Sequence, residues 1–211
     1  MNLPLATGAH RASLRPMPDR RTPLATTLCT FRPADAVESQ HALAMANLLA
    51  NTAAPFARDQ FSPGHFTASA FIVDEQFSQI LLIFHAKLQR WLQPGGHIDD
   101  DDEEVEAAAR REIAEETGLT DLTLLAAPLD LDVHAIPAYG SVPAHLHFDV
   151  RFLFCAPRGA GVAGSDAHGL RWVPLQQVSG DPYDESVLRA VRKIAARFGN
   201  HPAIGDLSSA A

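Results

Sequence analysis

The stretch from Glu103 to Thr117 constrains this chain more than any other, because its helical periodicity and its charge pull in opposite directions. Laid out at about 100° per residue, Val105, Ala108, Ala109 and Ile113 form an apolar stripe that should face a core. Glu112 and Glu116 fall within roughly 20° of Val105 on the same wheel, so the inward stripe turns acidic in its second half. Glu115 flanks it, and Gly118 is placed to end the helix in the left-handed conformation. Carboxylates at i and i+4 have β-carbons about 6 Å apart, which at an effective dielectric near 20 is a repulsion of about 3 kcal/mol. No lysine stands at i+4 to relieve it. Arg110, Arg111 and a bound cation are the available counter-charges, and a hard divalent ion prefers carboxylate oxygen, which makes Mg2+ or Mn2+ the natural occupant. The bland alternative, a solvated acidic face, fits the loop run Asp99 to Asp102 as well as a functional reading does.

Around this helix the pattern is that of an α/β protein. A helical extension is expected from Asp35 to about Ala54, with Val37, Leu43, Leu48 and Leu49 as packing candidates and Pro55 as its stop. Phe66 to Val73 and Ile80 to Phe84 read as a strand hairpin, and Trp91 to Ile98, broken by Pro94-Gly95-Gly96, reads as a loop leading into the acidic helix. Strands follow at Leu122 to Leu125, Leu129 to Ile136, Ala144 to Phe154 and Leu170 to Val173. A last amphipathic helix, about Asp184 to Phe198, presents Val187, Leu188, Val191, Ile194 and Ala195 on one side. The order of elements argues for α/β/α layers around a mixed sheet. It divides the chain into an N-terminal tail and helical extension (1–64), a main domain that includes the last helix (65–200) and a flexible tail (201–211). Residues 1 to about 33, with several prolines and scattered arginines, read as a weakly ordered tail or a strap over the domain, with no chemistry placed there.

Bulk properties narrow the function. A 211-residue chain suits one domain with some extra segment. A formal charge of −8, without a concentrated basic patch, argues against nucleic acid or an anionic membrane as partner. Cys29 and Cys155 lack metal-ligand spacing and read as reduced thiols. No stretch has signal-peptide or membrane-spanning form, so a cytoplasmic protein is expected.

Read as a string, Gly95-Gly96-His-Ile-Asp-Asp-Asp-Asp-Glu103 followed by Arg111-Glu112-Ile113-Ala114-Glu115-Glu116-Thr117-Gly118-Leu119 resembles the signature box of the Nudix hydrolase family. The second half of the box matches at every position. Glu103 stands seven residues before Arg111, as the pattern asks, but six residues instead of five separate it from Gly96. Either the loop carries one extra residue or Asp102 takes the glutamate's place. The resemblance extends from about Phe66 to Leu175.

It implies that Glu112, Glu115 and Glu116 bind divalent cations together with a backbone carbonyl of the Gly95-Gly96 turn, and that Arg111 orients the glutamates. Glu103 would brace the loop by pairing with Arg111 or other helix groups. The implied activity is hydrolysis of a nucleoside diphosphate linked to another group, by attack of water on phosphorus, with Glu115 or Glu112 as base. The competing reading is a non-catalytic nucleotide sensor on the same fold; an isomerase of isoprenoid diphosphates would need a catalytic cysteine that the surroundings of Cys155 do not suggest.

Outside the box the sequence leaves roles open. His145 and His147 share one face of a strand. With His134 they are candidates for a second metal site or phosphate contacts, or structural histidines, and His97 follows the glycine turn. Asp132 and Asp149 are equally ambiguous. Trp91 could stack on a base, Lys87 and Arg90 could meet phosphate, and Phe148 and Phe152 read as core. Sugar nucleotides, dinucleoside polyphosphates, oxidised nucleoside triphosphates and ADP-ribose all stay open as substrates. A homodimer is the default assembly.

Overall fold

The computed structural model describes residues 18–86, 89–161 and 169–198. Four helices, α1 (Arg21–Thr30), α2 (Ala36–Asn51), α3 (Val105–Thr117) and α4 (Glu185–Phe198), accompany seven strands: β1 (Gly64–Asp74), β2 (Gln79–His85), β3 (Arg90–Leu92), β4 (Gly95–His97), β5 (Thr123–Ile136), β6 (His145–Ala156) and β7 (Leu170–Pro174). They form one mixed sheet in the order β3-β2-β1-β6-β5, with β4 added to β1 and β7 to β2. Its centre is β1, every residue of which is buried, paired parallel to β6 along its whole length.

Because successive side chains of a strand point to opposite faces, β1 divides the core. Phe66, Ala68, Ala70 and Ile72 pack with α1, α2 and the apolar stripe of α3, while Phe71 and Val73 pack with Leu153 and α4. The expected α/β/α layering is therefore present. The β1–β2 hairpin is held at its turn by Asp74, whose carboxylate accepts from the backbone N–H groups of Ser78 (2.6 Å) and Gln79 (2.9 Å). At the start of α2, Asp35 accepts from the Glu38 N–H at 2.8 Å, and Glu38 reaches back to the Ala34 N–H at 2.6 Å, a variant of the reciprocal capping box.

The structure corrects the sequence reading in four places. Residues 21–30 are helical and contribute Leu24 and Leu28 to the core, so the expected strap is ordered there; residues 1–17 lie outside the described residues. Pro23 did not prevent this helix, because it falls in the first turn, where its missing N–H would have no helical partner. In α2, Val37 and Leu43 face outward and Met45 joins Leu48 and Leu49 inside. The expected loop Trp91 to Ile98 contains two short strands. The expected pair of strands around Pro128 is one strand, β5, whose ladder to β6 shifts register between Ala126 and Asp130.

Candidate active site

The acidic helix does what its periodicity demands. Val105, Ala108, Ala109 and Ile113 are buried, and Gly118 closes the helix at φ 69°. Glu112 and Glu116 turn toward β4. The Glu112 carboxylate lies so close to Gly96 that a β-carbon there would meet Oε1 at 2.6 Å and push the carboxylate from its place. Glu116 Oε2 accepts the Gly95 N–H at 2.9 Å. Glu115 departs from the inward cluster, with its side chain 58% exposed against 15% for Glu112. Burial pushes the Glu112 carboxyl above its ordinary range against the pull of Arg111, and the charges of Glu115 and Asp99 push the same way.

Arg111 stands at the centre of this acid. It donates to Glu112 Oε1 (2.9 Å), Glu115 Oε2 (3.2 Å), the His97 carbonyl (2.8 Å) and, through Nε and Nη2, to both oxygens of Asp102 (3.2 and 3.0 Å). A fork of this kind fixes a guanidinium in orientation as well as position. The hydrogen bonds that Arg111 donates to Asp102, outweighing burial, raise the proton affinity of Arg111 further. Asp102 also accepts the Asp99 N–H at 2.8 Å, tying the loop to the helix. The expectation that Glu103 pairs with Arg111 is therefore corrected: Glu103 is exposed, and Asp102, separated from Gly96 by five residues, makes the pair.

Sequence reasoning missed a second brace. Arg20, 4% exposed, sends its guanidinium into the acidic loop and donates to the carbonyls of Asp99 (2.7 Å), Asp100 (2.6 Å) and Asp102 (2.6 Å). An arginine just before a helix gives no periodic signal of such a role.

Strand β4 serves both faces of the sheet. Gly96, opposite Ala68, faces Glu112; His97, opposite Thr67, faces the other way and meets His65 at a ring-centroid distance of 5.1 Å. There the parallel register of β1 on β6 sets His65 beside His147, and the antiparallel register of β5 sets His134 beside His147. His145 completes a group of five imidazoles. Burial, with Arg58 and His65 adding, lowers His97 to about 4; burial likewise drives His147 far below its ordinary value. The sequence placed His145 and His147 on one face, as found, but offered no sign of His65, whose partner strand lies about eighty residues away.

The remaining candidates lie elsewhere. Trp91, on edge strand β3, carries the Arg171 guanidinium 3.9 Å from its ring centroid and packs with the α4-side core, so that face is not open to a base. Arg90 is exposed at the end of β3 opposite His85, and Lys87 lies outside the described residues. Asp132 and Asp149 belong to a buried ion network with Arg151, whose guanidinium reaches Asp149 at 2.8 Å and Asp132 at 2.9 Å. Phe148 and Phe152 are core.

Residues 63–192 match the family model described as the NUDIX domain. Similar solved structures include a NUDIX-family hydrolase of Clostridium perfringens (22% identity, TM-score 0.50, covering 63% of this chain and 97% of that one). A binary complex of the C. elegans Ap4A hydrolase (19%, 0.52, 64% and 97%) and the E. coli dihydroneopterin triphosphate pyrophosphohydrolase (15%, 0.51, 63% and 95%) share the fold at similar extent. No curated protein matches the chain in sequence. Among the described residues no helix is long and apolar enough to cross a membrane. With the family model spanning more than half of the sequence and its glutamate helix folded onto the glycine turn, this chain belongs to the Nudix family of hydrolases.

Proposed function

We propose that the chain hydrolyses a phosphoanhydride bond in a small nucleoside-diphosphate-linked substrate with the help of Mg2+, or Mn2+ in its place. The observation that carries this reading is the position of Glu112 and Glu116, drawn against the Gly95-Gly96 backbone with one arginine among several acids. Such a group suits a hard cation, because every donor is oxygen and the negative charge exceeds what Arg111 can offset. Glu112, Glu115, Glu116 and the Gly96 carbonyl are the residues that would hold the ion. When bound, it supplies neutralisation of diphosphate charge and a lowered pKa for water.

The chain's own residues do the rest. Arg111, fixed by Asp102, keeps Glu112 and Glu115 from swinging apart, and Arg20 keeps the loop that carries Asp102 in place. Glu115, the most exposed of the three, takes the proton from the attacking water. Positioning of this kind supplies most of the catalysis in phosphoryl transfer, where little covalent chemistry falls to the protein.

The test is release of phosphate or nucleotide from a panel of sugar nucleotides, dinucleoside polyphosphates, nucleoside triphosphates and ADP-ribose with Mg2+ or Mn2+. Cleavage of at least one class is expected, falling by at least about 100-fold in Glu116→Gln, more than disturbance of a metal's outer shell alone would cost. Failure to cleave any of them with either ion, or turnover unchanged in Glu116→Gln, overturns the proposal.

A further inference from the structure

The histidine group on the other face of β4 has properties of its own. One ring nitrogen from each of His65, His145 and His147 lies within 4.8 Å of the others. His65 places Nδ1 3.1 Å from the Gln60 carbonyl, and His145 places Nδ1 2.8 Å from the Pro143 carbonyl. A carbonyl only accepts, so in both rings Nδ1 carries the proton and, while the ring is neutral, Nε2 keeps a lone pair. His65 is 1% exposed, and its Nε2 is buried with no hydrogen-bond partner. A buried acceptor left without a partner costs free energy, and a second lone pair close by adds repulsion. What these atoms lack is an electrophile.

The geometry points to a second metal centre, in which His65, His145 and His147 bind a borderline divalent ion of the zinc class, separate from the carboxylate site on α3. Imidazole nitrogen suits zinc, cobalt, nickel or copper better than magnesium. A tetrahedral set with metal–nitrogen bonds of about 2.1 Å spaces its donors about 3.4 Å apart, so modest ring rotations close this one. Backbone carbonyls on the far ring nitrogens are the outer partners that commonly orient ligating histidines. Three protein ligands leave a coordination position for water or a substrate oxygen. A cleft of about 620 Å³, lined by Phe61, Pro63, Ile136 and His145, opens beside the group and gives an ion its way in. The three histidines lie on β1 and β6 and the glutamates on α3, so the site stands independently of what the glutamates hold.

The full chain, stripped with a chelator and held in excess Mg2+, is titrated with Co2+ and then Zn2+. One equivalent of Co2+ is expected, with the intense visible absorption of a low-coordinate nitrogen site, displaced by Zn2+. The band persists in Glu112→Gln, whereas His147→Gln and His145→Gln each weaken binding by at least about 100-fold, with circular dichroism unchanged. X-ray absorption at the zinc edge of the unaltered protein needs no variant and should show an imidazole shell. Absence of Co2+ and Zn2+ binding overturns the proposal, as does a shell made only of oxygen. Binding lost in Glu112→Gln but kept in the histidine variants would place the ion on α3 and overturn it equally.

Discussion

Two clusters of carboxylates lie in this protein, and they differ in what answers their charge. On α3 and the loop before it, Asp99, Asp102, Glu112 and Glu115 share one arginine, Arg111, and Glu116 is held by a backbone N–H. On the α4 side, Asp130, Asp132, Asp149 and Glu38 are more deeply buried, but they meet Arg151, Arg189 and Lys193 in a connected network. The second cluster is closed: its charges satisfy one another. The first is open, with acid in excess and raised proton affinity at Glu112. Burial of acid is common to both, so the deficit of positive charge is what separates a binding site from a piece of the core.

The largest effect should come from opening the closed cluster. Arg151→Met leaves three buried carboxylates short of their shared partner and is expected to cost about 3–5 kcal/mol, read as a lower denaturant midpoint. A loss below about 1 kcal/mol would show that the network is not held together by that arginine.

Removing charge from the open cluster should have the opposite sign for stability. Glu112→Gln is expected to leave the metal-free protein as stable or more so in thermal melts, because burial and like charge penalise the ionised form, while lowering turnover at least about 100-fold. A variant that is both active and destabilised would erase the distinction between the clusters.

Acid gives a smaller and more graded contrast. Burial alone would raise Asp132, but its hydrogen bond with His134 and the charges of Arg151 and Arg189 prevail and hold it far below the usual carboxylate range; Asp130 shifts the same way. Both bind protons more weakly when folded, so their contribution is present above the unfolded pKa of about 4 and is lost as pH falls below it. Glu112, shifted upward, contributes the reverse slope over the range just above the ordinary glutamate value. Melts of Arg189→Met across pH 3–6 should therefore lose most of the acid-side slope, whereas those of Glu112→Gln should keep it.

The first cluster was legible in the sequence and the second was not. Helical periodicity reports directly which residues share a face, so Glu112 and Glu116 stood out from fifteen residues of local sequence. Asp130, Asp132, Asp149 and Arg151 come together only through pairing of β5 with β6 and packing of α4, contacts that span from 2 to 59 residues. The histidines divide the same way: His145 and His147 follow from alternation along one strand, whereas His65 requires the parallel register of β1 on β6. Asp102 was a matter of register in the loop, which spacing alone left open between two neighbours. Helix α1 was hidden by Pro23 and the prolines on either side of it.

Arg20 gives the N-terminal segment a bearing on chemistry that its position in the chain conceals. The family model begins at residue 63, yet the guanidinium holding three carbonyls of the acidic loop comes from more than forty residues earlier. A chain cut back to the matched portion would keep Glu112, Glu115 and Glu116 and lose the clamp on the loop before their helix. The loop that carries Asp102, the partner of Arg111, would then lose those three hydrogen bonds. The segment matched by the family model and the residues that brace its acidic loop therefore do not share a boundary.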